Sequence, residues 1–292
     1  MQVKEYQIKA YAKVNLGLDV VRRLPNGYHQ VKMVMQSVGI CDELLLEKAE
    51  RGIALTADSR EVPLDETNLI YRAAKLMQEE YGIGEGIRIH LRKKIPVAAG
   101  MAGGSTDAAA AMKGMNQLFG LNVPRERLME LGVAIGADVP YCILGGTALA
   151  EGIGEKLTGL RSMPDCFILA AKPEISVSTK YVYEHLDGAG IVHHPDIDGM
   201  AEAIEGGNLP GILERMENVL EAVTISAWPV VGMLKERMLA LGAERSLMSG
   251  SGPTVFGIFT GKEKAEAALE QLGGEHLAKQ VFLTMPVGAS QD

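Results

Sequence analysis

The chain has 292 residues, a formal net charge of −8 at pH 7 and three cysteines. A chain of this length can bury roughly three quarters of its unfolded surface, so it forms one large or two smaller domains. The acidic balance argues against a nucleic-acid partner, which requires a basic face. The cysteines lack C-x-x-C spacing and nearby paired histidines, which excludes a disulfide framework and a zinc site of the usual kind.

The first residues are polar and lack the apolar core of a signal peptide. Residues 131–150 carry one charge, but Asp138, Pro140 and four glycines interrupt them. A membrane helix requires a longer uninterrupted apolar run. We therefore expect a cytoplasmic protein with no membrane partner.

In the N-terminal half, apolar alternation and turn residues predict strands and helices in turn. Strands are expected at 14–20, 31–35, 44–47, 53–56 and 87–91, the first two joined by the turn Pro25-Asn26-Gly27. Helices are expected at 68–81, 108–119 and from Pro124 to near Gly136.

The C-terminal half predicts a strand over 167–171, helices over 178–186 and within 209–241, and then strand, glycine loop, strand, helix and strand, ending at Met285. This order is compatible with a split βαβ sandwich of the ferredoxin kind with an enlarged helical crossover. A domain boundary is expected near residues 158–164.

Residues 96–106 join a predicted strand to a predicted helix through a loop in which residues 98–104 are all Gly or Ala except Met101. Such a loop lets a ligand approach backbone N–H groups at the positive end of a helix dipole, which favours phosphate. The spacing fits neither the Walker loop nor the dinucleotide fingerprint. A tight turn that merely needs glycine is the alternative.

Lys13 and Asn15 stand two residues apart in an otherwise apolar strand, so their side chains share one face. They are either functional or the polar face of an edge strand. Asp138, in an apolar stretch, is either a turn cap or a functional group.

Two further segments allow two interpretations each. Residues 246–255 form a second Gly/Ser loop, which is a simple hairpin turn or a cover for the same anion as the first loop. The run Arg92-Lys93-Lys94 either binds a small anion or is a solvated strand end.

Together these segments resemble the GHMP kinase family, which includes galactokinase, homoserine kinase and mevalonate kinase. The strand with Lys13, the loop over 96–109 and the late loop over 249–253 follow the family's order, and Ala98, Ala99 and Ala102 stand where many members have Gly. The resemblance implies an α+β, two-domain GHMP kinase-like fold. Its N-terminal α/β domain would span residues 1–160, and its ferredoxin-like βαββαβ domain residues 161–292.

The resemblance also implies ATP and Mg²⁺ as cofactors, with Mg²⁺ bridging the β- and γ-phosphates. Asn68 would lie beside the nucleotide base. The phosphates would be wrapped by Pro96, Val97, Ala98, Ala99, Gly100, Met101, Ala102, Gly103, Gly104, Ser105 and Thr106. Ser105 or Thr106 would offer a hydroxyl to phosphate or metal, whereas Asp107 would repel phosphate unless it faces away or reaches the metal. The metal ligands are left open.

For the reaction, the resemblance implies that Asp138 accepts or orients the proton of the substrate alcohol. Lys13 would stabilise Asp138 and the developing charge. The patterns over residues 10–18, Gly27-Tyr28-His29 and residues 136–140 narrow the resemblance within the family. This narrower resemblance implies a cytidine diphosphate-linked methylerythritol as the small-molecule substrate.

For binding of that substrate, the resemblance implies that His29 hydrogen-bonds the cytosine edge and that Tyr28 and Tyr183 sandwich the ring. Asn15 and Thr179 would contact polar groups of the substrate. Ordinary helix packing is the alternative for Tyr183. Competing functions are a homoserine or mevalonate kinase, a catalytically silent nucleotide-binding regulator and, remotely, a dinucleotide oxidoreductase.

Overall fold

The computed structural model describes residues 4–189 and 193–289. It divides into two compact units, each built from several stretches of the chain. The first unit comprises Met1–Ala12, Ile40–Val97 and Ala102–Leu144, and the second comprises Lys13–Gly39, Ala98–Met101 and Gly145–Asp292. The predicted domain division between residues 160 and 161 stays a prediction.

Helices and strands are both abundant in the described residues. The strands are β1 (Glu5–Arg23), β2 (His29–Ala49), β3 (Ile53–Ala57), β4 (Gly86–Arg92), β5 (Thr147–Glu151), β6 (Lys156–Gly159), β7 (Phe167–Lys172), β8 (Arg245–Met248), β9 (Val255–Phe259) and β10 (Gln280–Thr284). The helices are α1 (Leu69–Tyr81), α2 (Gly103–Leu118), α3 (Arg125–Gly132), α4 (Val139–Leu144), α5 (Thr179–Ala189), α6 (Ile197–Glu205), α7 (Leu209–Glu214), α8 (Glu221–Ala227), α9 (Val230–Ala240) and α10 (Lys262–Gly273).

The predicted hairpin at the N-terminus is confirmed, because β1 pairs with β2. Its turn places Gly27 at φ 87°, a conformation that suits glycine. The expectation of separate strands at 31–35 and 44–47 is wrong, since both lie in the 21-residue strand β2. Gly39 lies inside this strand, and its N–H donates a hydrogen bond to the carbonyl of Met285.

In the first unit, β3 runs parallel to β4, and β4 is antiparallel to the C-terminal part of β2, with Leu44 opposite Leu91. Helix α1 ends as predicted at Gly82, whose φ of 62° is left-handed. Helix α2 presents the four consecutive buried alanines 108–111 to the core. Short side chains let this helix pack closely against α1 and the sheet, which secures its N-terminus.

In the second unit, the N-terminal part of β2 pairs with β5, which pairs with β6. The other sheet has the order β10-β7-β9-β8 with every neighbour antiparallel. With helices between β7 and β8 and α10 between β9 and β10, this is the predicted ferredoxin-like arrangement. Strands β5 and β6 were not predicted, because they are short and their small residues give them no clear period. Helix α6 was not predicted either, although Ile197, Met200 and Ile204 recur at helical spacing.

No helix in the described part of the chain combines the length and apolar character needed to cross a bilayer.

Replacing Gly86 by alanine will destabilise the protein, because a methyl group there would lie 2.5 Å from the backbone carbonyl oxygen of Arg51. Backbone yields less easily than a side-chain end, so we expect a loss of about 1–3 kcal/mol in the free energy of unfolding measured in urea. Gly84→Ala is the matched control: no atom lies within 4 Å of its added methyl group. Equal stability of the two variants would contradict the packing argument.

Candidate active site

The start of α2 in the first unit offers free backbone donors. Ala102 precedes the helix at φ 57°, ψ 28°, and Gly103 is its first residue. The first N–H groups of any α-helix have no intrahelical acceptor and lie at its positive end. Gly104 is exposed, so an anion can reach these groups without meeting a side chain.

The two hydroxyl residues of this turn have different surroundings. Thr106 is 3% exposed and donates its hydroxyl to the carbonyl of Tyr11 at 2.8 Å. Ser105 is half-buried, and its Oγ lies 4.0 Å from where a methyl group on Gly136 would stand. Thr106 therefore fastens the helix to β1, and its hydroxyl proton is already used in that hydrogen bond.

Beneath the same turn lies a buried ionic network. Lys93 Nζ donates to Asp42 Oδ2 at 2.5 Å and to Asp107 Oδ2 at 2.8 Å, and the three side chains are at most 5% exposed. The other oxygen of Asp42 accepts the backbone N–H groups of Lys94 and Ile95. Lys93 is thus neither a solvated strand end nor available to an anion, and Asp107 faces away from the exposed helix end.

This network is electrostatically unusual. Burial, together with the nearby charge of Asp42, raises the pKa of Asp107 well above its usual range despite Lys93. Burial lowers the pKa of Lys93, but attraction to Asp107 and Asp42 outweighs it and leaves that pKa raised. Asp107 Oδ1 is buried and has no hydrogen-bond partner. The folded protein therefore holds the Asp107 proton more tightly than the unfolded chain does.

Two other predicted residues lie in the first unit. Asn68 caps α1: its Oδ1 accepts the N–H of Ile70 at 2.8 Å and its Nδ2 donates to Pro63 O at 2.6 Å. Asp138 is half-buried directly before α4, where its carbonyl accepts the N–H of Cys142. Asn68 therefore has a structural role whatever it binds.

In the second unit, Lys13 and Asn15 share one face of β1 as predicted. Lys13 Nζ donates to Asn15 Oδ1 at 2.6 Å, and the two residues are 5% and 0% exposed. An edge strand that shows a polar face to water is therefore excluded. A buried ammonium group is costly unless it is paired or hydrogen-bonded, and the bond to Asn15 offsets part of that cost.

The late loop, residues 249–254, packs on the tip of the glycine-rich loop, residues 98–101. Ser249 Oγ donates to Gly100 O at 2.9 Å. Gly100 has φ 74°, and a methyl group on it would lie 2.9 Å from Gly252 O and closer still to Ser249 O. A methyl group on Gly250 would lie 3.4 Å from Asn15 Oδ1 and 3.7 Å from Lys13 Nζ. The late loop is therefore more than a simple hairpin turn.

The predicted substrate residues of the second unit form two contacts. The rings of His29 and Tyr183 lie 4.9 Å apart with a tilt of 38°. Thr179 Oγ1 lies 2.9 Å from Ser251 Oγ of the late loop. Tyr28 is 59% exposed, so its ring is available for stacking.

Asp42 was missed by the sequence analysis, although a signal was present. It stands between Ile40 and Leu44 on the inward face of β2, where alternation requires an apolar residue. A charge at such a position needs a buried partner. No group of three or more His, Cys, Asp or Glu residues that could hold a metal occurs in residues 4–189 and 193–289.

Comparison with known proteins identifies the class of this protein. The model of the GHMP kinase N-terminal domain matches residues 68–146, and that of the GHMP kinase C-terminal domain matches residues 200–279. The chain therefore belongs to the GHMP kinase family, whose members transfer phosphate to a hydroxyl group.

Individual relatives narrow the comparison within the family. The 4-diphosphocytidyl-2-C-methyl-D-erythritol kinase of Lachnospira eligens is 52% identical over 97% of this chain and 98% of its own length. The kinase of the same name from Caldicellulosiruptor bescii is 48% identical over 95% and 97%. A crystal structure of 4-(cytidine 5'-diphospho)-2C-methyl-D-erythritol kinase covers 97% of this chain and 100% of its own, with TM-score 0.83 and 33% identity.

Asp107 will make stability depend on pH. Its pKa is raised in the folded state, so above about pH 4 the unfolded chain releases a proton that the folded chain retains, and stability falls as pH rises through this window. Asp107→Asn removes this loss. We expect its free energy of unfolding in urea, relative to the unsubstituted protein, to increase from pH 5 to pH 8.

Asp65→Asn is the control for this measurement. Hydrogen bonds from Thr67 lower the pKa of Asp65, so it is ionised in both states throughout that range. The difference between Asp65→Asn and the unsubstituted protein should not change from pH 5 to pH 8. The same constancy for Asp107→Asn would refute the prediction.

Proposed function

We propose that this protein is an ATP-dependent kinase that phosphorylates the 2-hydroxyl of 4-diphosphocytidyl-2-C-methyl-D-erythritol in the non-mevalonate route to isoprenoid precursors. One observation carries the proposal. This chain is 52% identical, over 97% of its length, to a relative of that name, and its buried Lys13 ammonium lies close to the late loop. Phosphoryl transfer requires mainly positioning and charge stabilisation, which such a site supplies.

The phosphates of ATP would bind the first-turn N–H groups of α2 and the backbone of residues 96–102. Ser105 would add its hydroxyl, because Thr106 already donates to Tyr11. Asn68 would contact the nucleotide base with the hydrogen-bonding capacity that its capping role leaves.

Mg²⁺ fits this donor set as an ion that ATP carries in. Such ions are held largely by substrate phosphates and water, with few protein ligands. Among the described residues no metal-binding cluster is preformed, and Asp107 is turned toward Lys93. We assign Ser105 Oγ as the protein oxygen that would contact Mg²⁺. Bound Mg²⁺ would neutralise charge on the β- and γ-phosphates.

We assign the proton of the substrate hydroxyl to Asp138 and the developing phosphoryl charge to Lys13. Asn15 holds the Lys13 ammonium at 2.6 Å, which limits the positions that this charge can take. A fixed charge needs no reorganisation during the reaction and therefore stabilises the transition state more than a mobile one does.

The cytidine end would bind the aromatic pair of the second unit. His29 would hydrogen-bond the cytosine edge, and Tyr28 and Tyr183 would stack on the ring. Asn15 and Thr179 would contact polar groups. Homoserine or mevalonate needs no such pair, so the pair favours the cytidylylated alcohol. Cys41, Cys142 and Cys166 are not joined in disulfides, which suits a reducing compartment, and we place the reaction in the cytoplasm.

Coupled ADP release tests the reaction. With ATP and Mg²⁺, we expect turnover of the cytidylylated alcohol and not of homoserine or mevalonate. Asp138→Asn should lower kcat by about 10²–10⁴, the range for loss of acid–base help, and Lys13→Ala should also lower it. Asp65→Asn, a change of the same kind elsewhere in the first unit, should leave kcat unchanged. Nucleotide binding without ADP release would favour the regulator, and preference for an alcohol without cytidine would refute the substrate.

Tyr28→Ala tests recognition of the base. Loss of one stacking partner costs about 1–3 kcal/mol, which corresponds to roughly a 5- to 150-fold increase in KM for the cytidylylated alcohol. The KM for ATP, measured in the same assay, is the internal control and should stay unchanged. An unchanged KM for the alcohol would remove Tyr28 from the site.

A further inference from the structure

Asn218 lies between α7 and α8 and holds the late loop by its side chain. It is 3% exposed. Its Nδ2 donates to the carbonyls of Met248 and Gly250, each at 2.8 Å, and its Oδ1 accepts the N–H of Leu220 at 3.0 Å. Both N–H groups of the amide are thus used on the backbone of the loop and of the strand before it.

The backbone beside Asn218 is attached to the strand that carries Lys13. Leu18 donates its N–H to Glu217 O at 2.9 Å, and Val219 donates its N–H to Leu18 O at 3.1 Å. These bonds form a parallel bridge between Leu18 and Asn218. Asn218 is therefore tied to β1 by its neighbours' backbone and to the late loop by its side chain.

The late loop in turn passes close to the Lys13 ammonium. A methyl group on Gly250 would lie 3.7 Å from Lys13 Nζ and 3.4 Å from Asn15 Oδ1. Gly250 and Gly252 have φ of 57° and 85°, so no regular secondary structure sets the path of the loop. Backbone hydrogen bonds fix part of that path, since Gly252 donates its N–H to Ser249 O and Thr254 donates its N–H to Ala99 O. At Gly250 the carbonyl accepts a hydrogen bond from the Asn218 side chain, which adds a tether at the residue nearest Lys13.

We propose that Asn218 is a positioning residue for phosphoryl transfer: by holding Gly250, it sets where the Lys13 ammonium lies. This inference rests on the proposed function. Asn218 would not contact the reacting groups itself and would act only through Gly250 and Lys13. A displacement of about 1 Å at such a group can cost up to about 10²-fold in rate.

Asn218→Asp is the sharpest test, because the shape and the acceptor for Leu220 remain while both donated bonds are lost. We expect kcat for ADP release to fall by about 10- to 100-fold, with KM for ATP and for the alcohol changed by less than about threefold. In a Lys13→Ala background the same change should lower the remaining rate by less than about threefold, since residues that act as one unit are not additive. Equal factors in both backgrounds would overturn the proposal.

Asn116→Asp is the matched control. Asn116 also holds a backbone segment by its amide, donating to Val123 O at 3.0 Å and accepting from Val123 N at 2.9 Å, in the first unit. Both variants are assayed where circular dichroism shows them folded. We expect Asn116→Asp to retain the unsubstituted kcat; an equal loss would show that Asn218 acts only through general stability.

A second readout does not need the kinase activity. The rate of Lys13 acetylation by a small acylating reagent, followed by mass spectrometry, should rise severalfold in Asn218→Asp and stay unchanged in Asn116→Asp. An unchanged rate in Asn218→Asp would overturn the positioning role. If the unsubstituted protein releases no ADP with the cytidylylated alcohol, the proposed function fails, and this labelling experiment alone decides on Asn218.

Discussion

The close approach of the late loop to Gly100 is the contact on which the arrangement around Lys13 in the second unit depends. Ser249 reaches the carbonyl of Gly100, and no side chain larger than hydrogen can stand at Gly100 without meeting the carbonyls of Ser249 and Gly252. Glycine is required here for a positive φ and for space at once. Because Gly250 of the same loop lies close to Lys13 Nζ, a shift of the loop at Gly100 would also change the surroundings of the buried ammonium.

The first unit uses a second buried ammonium in a different way. Lys93 is taken up by Asp42 and Asp107, while Asp42 also binds the backbone at the start of the glycine-rich loop. The network therefore joins β2, the residues after β4 and the first turn of α2. A methyl group on Gly103 would lie 3.0 Å from Lys93 Nζ, so glycine at that position leaves room for the ammonium. The helix end is held by charges underneath it and stays open above.

Ala98 and Ala102 show that family-level expectations need not hold for each residue. Their φ angles are 51° and 57°, which an alanine adopts only at a cost that glycine avoids. The backbone thus keeps a glycine-like path although the side chain is a methyl group. Each alanine keeps its backbone N–H, so these residues remove no donor from the loop.

Much of the architecture could be predicted because it depends on neighbours in sequence. The end of α1 at Gly82, the turn at Gly27 and the strand, loop, strand, helix and strand order after residue 241 follow from local conformational preference and alternation. The shared face of Lys13 and Asn15 follows from strand geometry. The exceptions are segments such as β5, whose small apolar residues have no distinctive period.

Local sequence pattern is enough to predict a glycine-rich loop that opens a helix, and a lysine on the polar face of a strand. The fold supplies the partners of the side chains: Lys93 forms an ion pair with Asp42, Thr106 donates a hydrogen bond to Tyr11 O, and Asn218 donates one to Gly250 O. Each of these depends on a partner 32 to 95 residues away. The polar groups of a side chain are satisfied by whatever the fold brings beside them, and local pattern carries no record of that partner.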